Sequence, residues 1–147
     1  MMWFDRYCLG VILVLVAPAL WSADVNAAGA LAVGVAPGGA QNGFSYGINS
    51  NSANTDEAKS EAVSHCRTAK ESNDKARSQC MAIGAYSNQC ATVAMDPKDG
   101  TPGVGWAIAA DSAASKQYAL ASCEATAGPG RAGTCVVSAT RCDGDAQ

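Results

Sequence analysis

The chain says nearly the same thing twice, and that limits its fold more than any other feature. LAVGVAPGGAQNGFSYGI (31–48) lines up without a gap on ATVAMDPKDGTPGVGWAI (91–108), at an offset of sixty. Pro37 falls on Pro97, Gly43 on Gly103, Tyr46 on Trp106 and Ile48 on Ile108. EAVSHC (61–66) then matches YALASC (118–123) at fifty-seven, and CMAIGA (80–85) matches CVVSAT (135–140) at fifty-five. The falling offset locates two small deletions in the second copy, one before its helix and one after. Such a chain folds as two like units.

Each unit carries the same order of signals. Leu31, Val33 and Val35 alternate with Ala32 and Gly34, the period of a half-buried strand. Eight turn-prone residues follow, APGGAQNG in one copy and DPKDGTPG in the other. Phe44, Tyr46 and Ile48 then alternate again, which completes a β-hairpin. A helix comes next, with Asn54 as cap, Asp56 in its first turn and Glu57 three residues after the cap. Its buried face is Ala58, Ala62, Cys66 and Ala69; in the second copy Ser112 is the expected cap and Ala119, Leu120 and Cys123 the buried stripe, with Gly128-Pro129 as the stop. A last strand starts at the following cysteine. The expected fold is α+β, a single domain of two ββαβ repeats, about 29–89 and 90–142. Their strands join one antiparallel sheet with both helices on one face.

Alanine-rich helices bury little apolar area each, so the cysteines matter. The first residues, MMWFDRYCLGVILVLVAPAL, read as a secretory leader, with Arg6 ahead of an apolar run from Leu9 to Val16 and a small-residue cleavage signal at Val25-x-Ala27. The run is shorter than the ~20 apolar residues that span a bilayer. Residues 1–27 are therefore expected to leave as a signal peptide, Cys8 with them, and 28–147 to form the domain. Six cysteines remain, Cys66, Cys80, Cys90, Cys123, Cys135 and Cys142. An even set in a small exported chain reads as a disulfide framework. No two are spaced as zinc-ligand pairs and His65 is the only histidine. Of the fifteen pairings six cysteines allow, the repeat favours Cys66–Cys80 and Cys123–Cys135 within the copies, leaving Cys90–Cys142 to join the halves.

The order of elements and the cysteine positions, with GALAVG, GWAIA, the alanine-rich helix ending in cysteine, and CVVSATRC, resemble the DUF4189 family of small exported bacterial proteins. The resemblance runs from about Gly29 to Cys142. It implies the fold and a periplasmic or secreted location, and it brings no catalytic residues and no activity.

The candidate chemistry is thin. Gly43-Phe44-Ser45-Tyr46-Gly47 matches the G-x-S-x-G of serine hydrolases, but a nucleophile elbow needs a strand before the serine and a helix after it. Here a turn precedes Ser45 and a strand follows, and the second copy has Gly105 at the same place. Ser45 reads as a strand serine on the side opposite Phe44 and Tyr46. His65 and Cys66 are helix neighbours about 100° apart, so they do not form a thiol–imidazole pair. Asp96, Asp99 and Gly100 resemble a calcium loop only loosely, without the regular ligands of an EF-hand. No cofactor or metal is expected. With formal charge −3 and no basic stripe, nucleic acid is set aside as a partner.

The aromatic residues Phe44, Tyr46, Tyr86 and Trp106 are the candidate binding surface, on the sheet face that the helices leave open. The leading expectation is a non-enzymatic, disulfide-stapled module of inhibitor or immunity type that binds a protein or envelope component. Its rivals are a serine hydrolase-like enzyme using Ser45 and a cell-surface structural protein.

Overall fold

The computed structural model describes residues 28–147, so the leader expected over 1–27 lies outside the described residues. The chain runs β1 (Ala28–Val35), a 3-10 turn (Ala40–Asn42), β2 (Phe44–Ser52), α1 (Thr55–Thr68), a short α2 (Asp74–Arg77) and β3 (Met81–Tyr86), then β4 (Cys90–Met95), β5 (Val104–Ala109), α3 (Ser112–Ala127) and β6 (Val136–Cys142). The fold class is α+β with disulfide staples. Both hairpins keep the register that the ungapped alignment demands. Leu31 faces Ile48 and Val33 faces Tyr46 in the first, while Ala91 faces Ile108 and Val93 faces Trp106 in the second.

The single sheet does not form. The strands make two antiparallel three-stranded sheets, β2-β1-β3 and β5-β4-β6. Burial explains the split, because the central strands are apolar on both faces and buried almost throughout. On one face of β1, Ala28, Ala30 and Ala32 meet Ala58, Ala62 and Cys66 of α1. On the other, Leu31 and Val33 pack with Ala91 and Val93 of β4. Ala94, on the opposite side of β4, meets Ala119 and Cys123 of α3. The order of layers is helix, sheet, sheet, helix, so the two helices lie on opposite outer faces instead of sharing one. The aliphatic and aromatic face of each sheet has only the other sheet to cover it.

Small residues let the helices come close. A Cβ on Gly47 would lie 2.1 Å from the Ala62 carbonyl oxygen and 2.5 Å from the Cys66 nitrogen. One on Gly105 would lie 2.3 Å from both the Ala119 carbonyl oxygen and the Cys123 nitrogen. Asn54 caps α1, its side chain accepting from Glu57 N at 2.9 Å. At α3 the cap is Asp111, which accepts from Ala114 N at 2.8 Å, one residue ahead of the expected Ser112. The carboxylate gives α3 an anion at its positive end, which a serine hydroxyl would not.

All three disulfides pair as the repeat suggests: Cys66–Cys80, Cys123–Cys135 and Cys90–Cys142. The first two bolt each helix to the strand that follows it. The third has a different role from the one expected. Cys90 opens β4 and faces Cys142 of β6 directly, so this bridge lies inside the second sheet and does not join the halves.

Candidate functional site

The halves are joined by side chains. Phe44 of the first sheet stacks on Trp106 of the second, with ring centroids 6.0 Å apart and planes 8° from parallel, and on Tyr46 at 6.1 Å. Tyr86 donates from its hydroxyl to the carbonyl of Asn49 at 2.9 Å and toward that of Arg141 at 3.4 Å. Of the expected aromatic surface, Phe44 and Tyr86 are buried, and Tyr46 and Trp106 are half-buried. The rings meet, but against the opposite sheet, because the face the helices leave open is the one the other half covers. Burial pushes the phenols of Tyr46 and Tyr86 above the ordinary tyrosine range, and the nearby Arg141 charge only partly opposes it.

Ser45 is fully buried on the helix side of β2, where its Oγ donates to the Cys66 carbonyl at 2.6 Å. That hydroxyl serves helix–sheet packing. Among the described residues it faces no base, and His65 is exposed on α1. Cys66 is held in its disulfide.

Asp96 is likewise already engaged. Arg131 grips both its carboxylate oxygens, Nε donating at 2.6 Å, and Thr134 Oγ1 and Lys98 N donate at 3.0 Å each. The Arg131 guanidinium holds the Asp96 carboxyl well below the usual carboxylate range, and Asp96 in turn raises Arg131. This carboxylate braces the base of the second hairpin loop and leaves Asp99 exposed on the lip. Among the described residues no three histidine, cysteine or acidic side chains gather as metal ligands.

At the hairpin end of the sandwich the two loops stand apart and leave a cleft of about 500 Å³. Its floor is Phe44, Tyr46, Met95 and Val104, and its lips are the 3-10 turn of the first loop and residues 97–101 of the second. Asn73, ahead of α2, buttresses the first lip by donating to the Asn42 carbonyl at 2.8 Å. Arg131, after α3, braces the second through Asp96. The volume lies within the ~300–1,000 Å³ of small-ligand sites. Sequence reasoning found Phe44 and Tyr46 but missed the loops as walls. The available signal was that both loops of an ungapped repeat emerge at the same end of their hairpins.

At the opposite end, Asp143 is fully buried and its Oδ1 accepts from Asn51 N at 2.7 Å, tying the end of β2 to the end of β6. Its second oxygen has no partner among the described residues. Among those residues no helix is long and apolar enough to cross a membrane.

Neither a curated protein nor a solved structure matches the chain. A family model does match, the domain of unknown function DUF4189, over residues 28–142, which include every strand, helix and disulfide described above. The chain belongs to the DUF4189 family.

Proposed function

We propose that this protein is an exported binding module that works without catalysis, and that its ligand occupies the cleft between the hairpin loops. One observation carries the reading: a cleft with an apolar floor of half-buried Tyr46, Met95 and Val104 beside buried Phe44 lies between two loops that are each braced from behind by a side chain of their own half. Braced loops keep a site pre-formed, which limits the ordering cost of binding. The three disulfides support an oxidising compartment, periplasmic or extracellular. Residues 1–27 serve on this reading as the leader, and a protein or envelope component of that compartment as the partner. An inhibitor or immunity role suits a rigid, stapled scaffold.

The test is capture of partners from envelope extracts of the source cells by the oxidised protein, beside a Gln41→Trp variant whose indole fills the cleft from its first lip. The expected result is a partner held by the wild type and lost by the variant, with unchanged thermal unfolding. If the variant retains everything the wild type retains, the cleft is not the site.

A further inference from the structure

The geometry points to a ligand with a cationic head, ammonium or guanidinium, on an apolar stem. This rests on the cleft being the binding site and adds the chemistry of what enters it. The side-chain amides on its rim have turned their NH2 groups inward. Gln41 Nε2 donates to the Gly38 carbonyl at 2.6 Å, Asn42 Nδ2 to that of Pro37 at 3.0 Å, and Asn73 Nδ2 to that of Asn42 at 2.8 Å. The amide oxygens of Gln41 and Asn42 have no partner among the described residues, so the first lip offers acceptors.

Charge follows the same sense. Glu71 and Asp99 line the cleft, both are exposed, and among the described residues neither enters an ion pair. The Asp96 charge is already matched by Arg131. Among the described residues that line the cleft, the unpaired cation that opposes them is Lys98 on the second lip. Two amide oxygens and two carboxylates against one ammonium make a rim that asks for hydrogen-bond donors and positive charge. An anion finds one charged partner among these lining residues. The floor supplies the apolar part of the match, since Tyr46, Met95 and Val104 line it and a ligand's stem would lie against them.

The experiment titrates the oxidised protein with phenethylamine, with its neutral isostere 2-phenylethanol, and with the tripeptide acetyl-Gly-Arg-Gly-amide, following the backbone amide resonances of Phe44, Tyr46 and Val104. The charged probes are expected to shift these resonances and to bind at least about 5-fold more tightly than the alcohol. Glu71→Gln and Asp99→Asn each weaken them by about 2- to 5-fold, and Lys98→Gln strengthens them by a similar factor. Added salt reduces the difference. If tripeptide binding exceeds that of phenethylamine, the head belongs to a basic side chain of a polypeptide; the reverse order assigns it to a free amine. Equal binding of alcohol and amine overturns the cationic assignment and leaves the cleft standing as a site. Failure of every probe to move the three resonances removes both.

Discussion

The two halves share a hairpin and differ in where the rest of the unit is clamped to it. In the first half Gly47 sits beneath Ala62 and Cys66 of α1; in the second it is Gly105, the counterpart of Ser45, that sits beneath the equivalent Ala119 and Cys123. The third strands tell the same story. Met81, next after Cys80, faces Val33, whereas Val136, next after Cys135, faces Met95, two residues further along the central strand. Helix and strand, bolted by their disulfide, have moved together by two residues, roughly 7 Å, toward the loop. Two is the smallest slide that keeps every strand residue on its own face. The cysteine bridge thus makes helix and strand one body, and the pleat sets the step by which that body can move.

Reduction tests the staples with the largest expected effect. In the chain-entropy estimate the closed loop sets the contribution, and the separations are 52 for Cys90–Cys142 against 14 and 12 for the other two. Replacing Cys90 and Cys142 by alanine should cost about 4 kcal/mol, and either of the other pairs about 3. Urea unfolding of the three double variants measures this. Equal losses at all three would mean that local strain, and not loop closure, governs the halves.

The glycines come next. Gly47→Ala and Gly105→Ala each drive a Cβ into helix backbone, and each should cost about 3 kcal/mol. Their counterparts, Ala107 and Ser45, already carry a Cβ because the helix lies two residues away. If Gly47→Ala is harmless while Gly105→Ala is not, the helices do not press equally on their sheets, and thermal unfolding would show it.

What the sequence discloses follows from which interactions are local. Registers, caps and the cysteine pairs were legible because they follow from spacing: an ungapped hairpin has one register, and Asn54 caps α1 through a neighbour three residues away. The split into two sheets was not. Alternation in Leu31, Val33 and Val35 is the same whether that face meets solvent, a helix or another sheet. The signal lay in the intervening residues, because Ala30 and Ala32 make β1 apolar on both faces, as in a strand covered on both sides. The cleft was legible only in part. Phe44 and Tyr46 stood out, yet its rim depends on which way the amides of Gln41 and Asn42 turn, and tertiary neighbours decide that.

A smaller effect distinguishes the two helix–sheet interfaces. Where the first half has Ala32 against Ala58, the second has Thr92 and Ser115, whose buried hydroxyls bond at 2.8 Å, with Thr140 at 3.0 Å from Thr92. Ser115→Ala removes one of the two partners of the buried Thr92 hydroxyl and leaves it Thr140, so it should cost about 1 kcal/mol. Adding Thr92→Ala recreates the alanine pair of the first half and should recover part of that loss. A double-mutant cycle with strictly additive losses would mean the pair is not coupled.

The last difference between the halves is a charge. Ala36 and Asp96 occupy the same place at the base of their loops, and their amides make the same bond, to the carbonyls of Gly43 at 2.9 Å and Gly103 at 2.8 Å. Only Asp96 titrates. Arg131 depresses its folded-state value below the ordinary ~4 of an aspartate, so the folded state binds its proton more weakly than the unfolded chain does. The resulting stabilisation is therefore complete above pH ~4 and is lost as the pH falls below that toward the folded-state value. The stability difference between wild type and Asp96→Asn should be flat from neutral pH down to about 5 and shrink through the acid range. Arg131→Gln should flatten that acid slope while leaving Asp96 in place. A difference that stays constant from pH 6 to 3 would show that folding does not favour the ionised form of Asp96, and that the bracing of the second loop owes nothing to its charge.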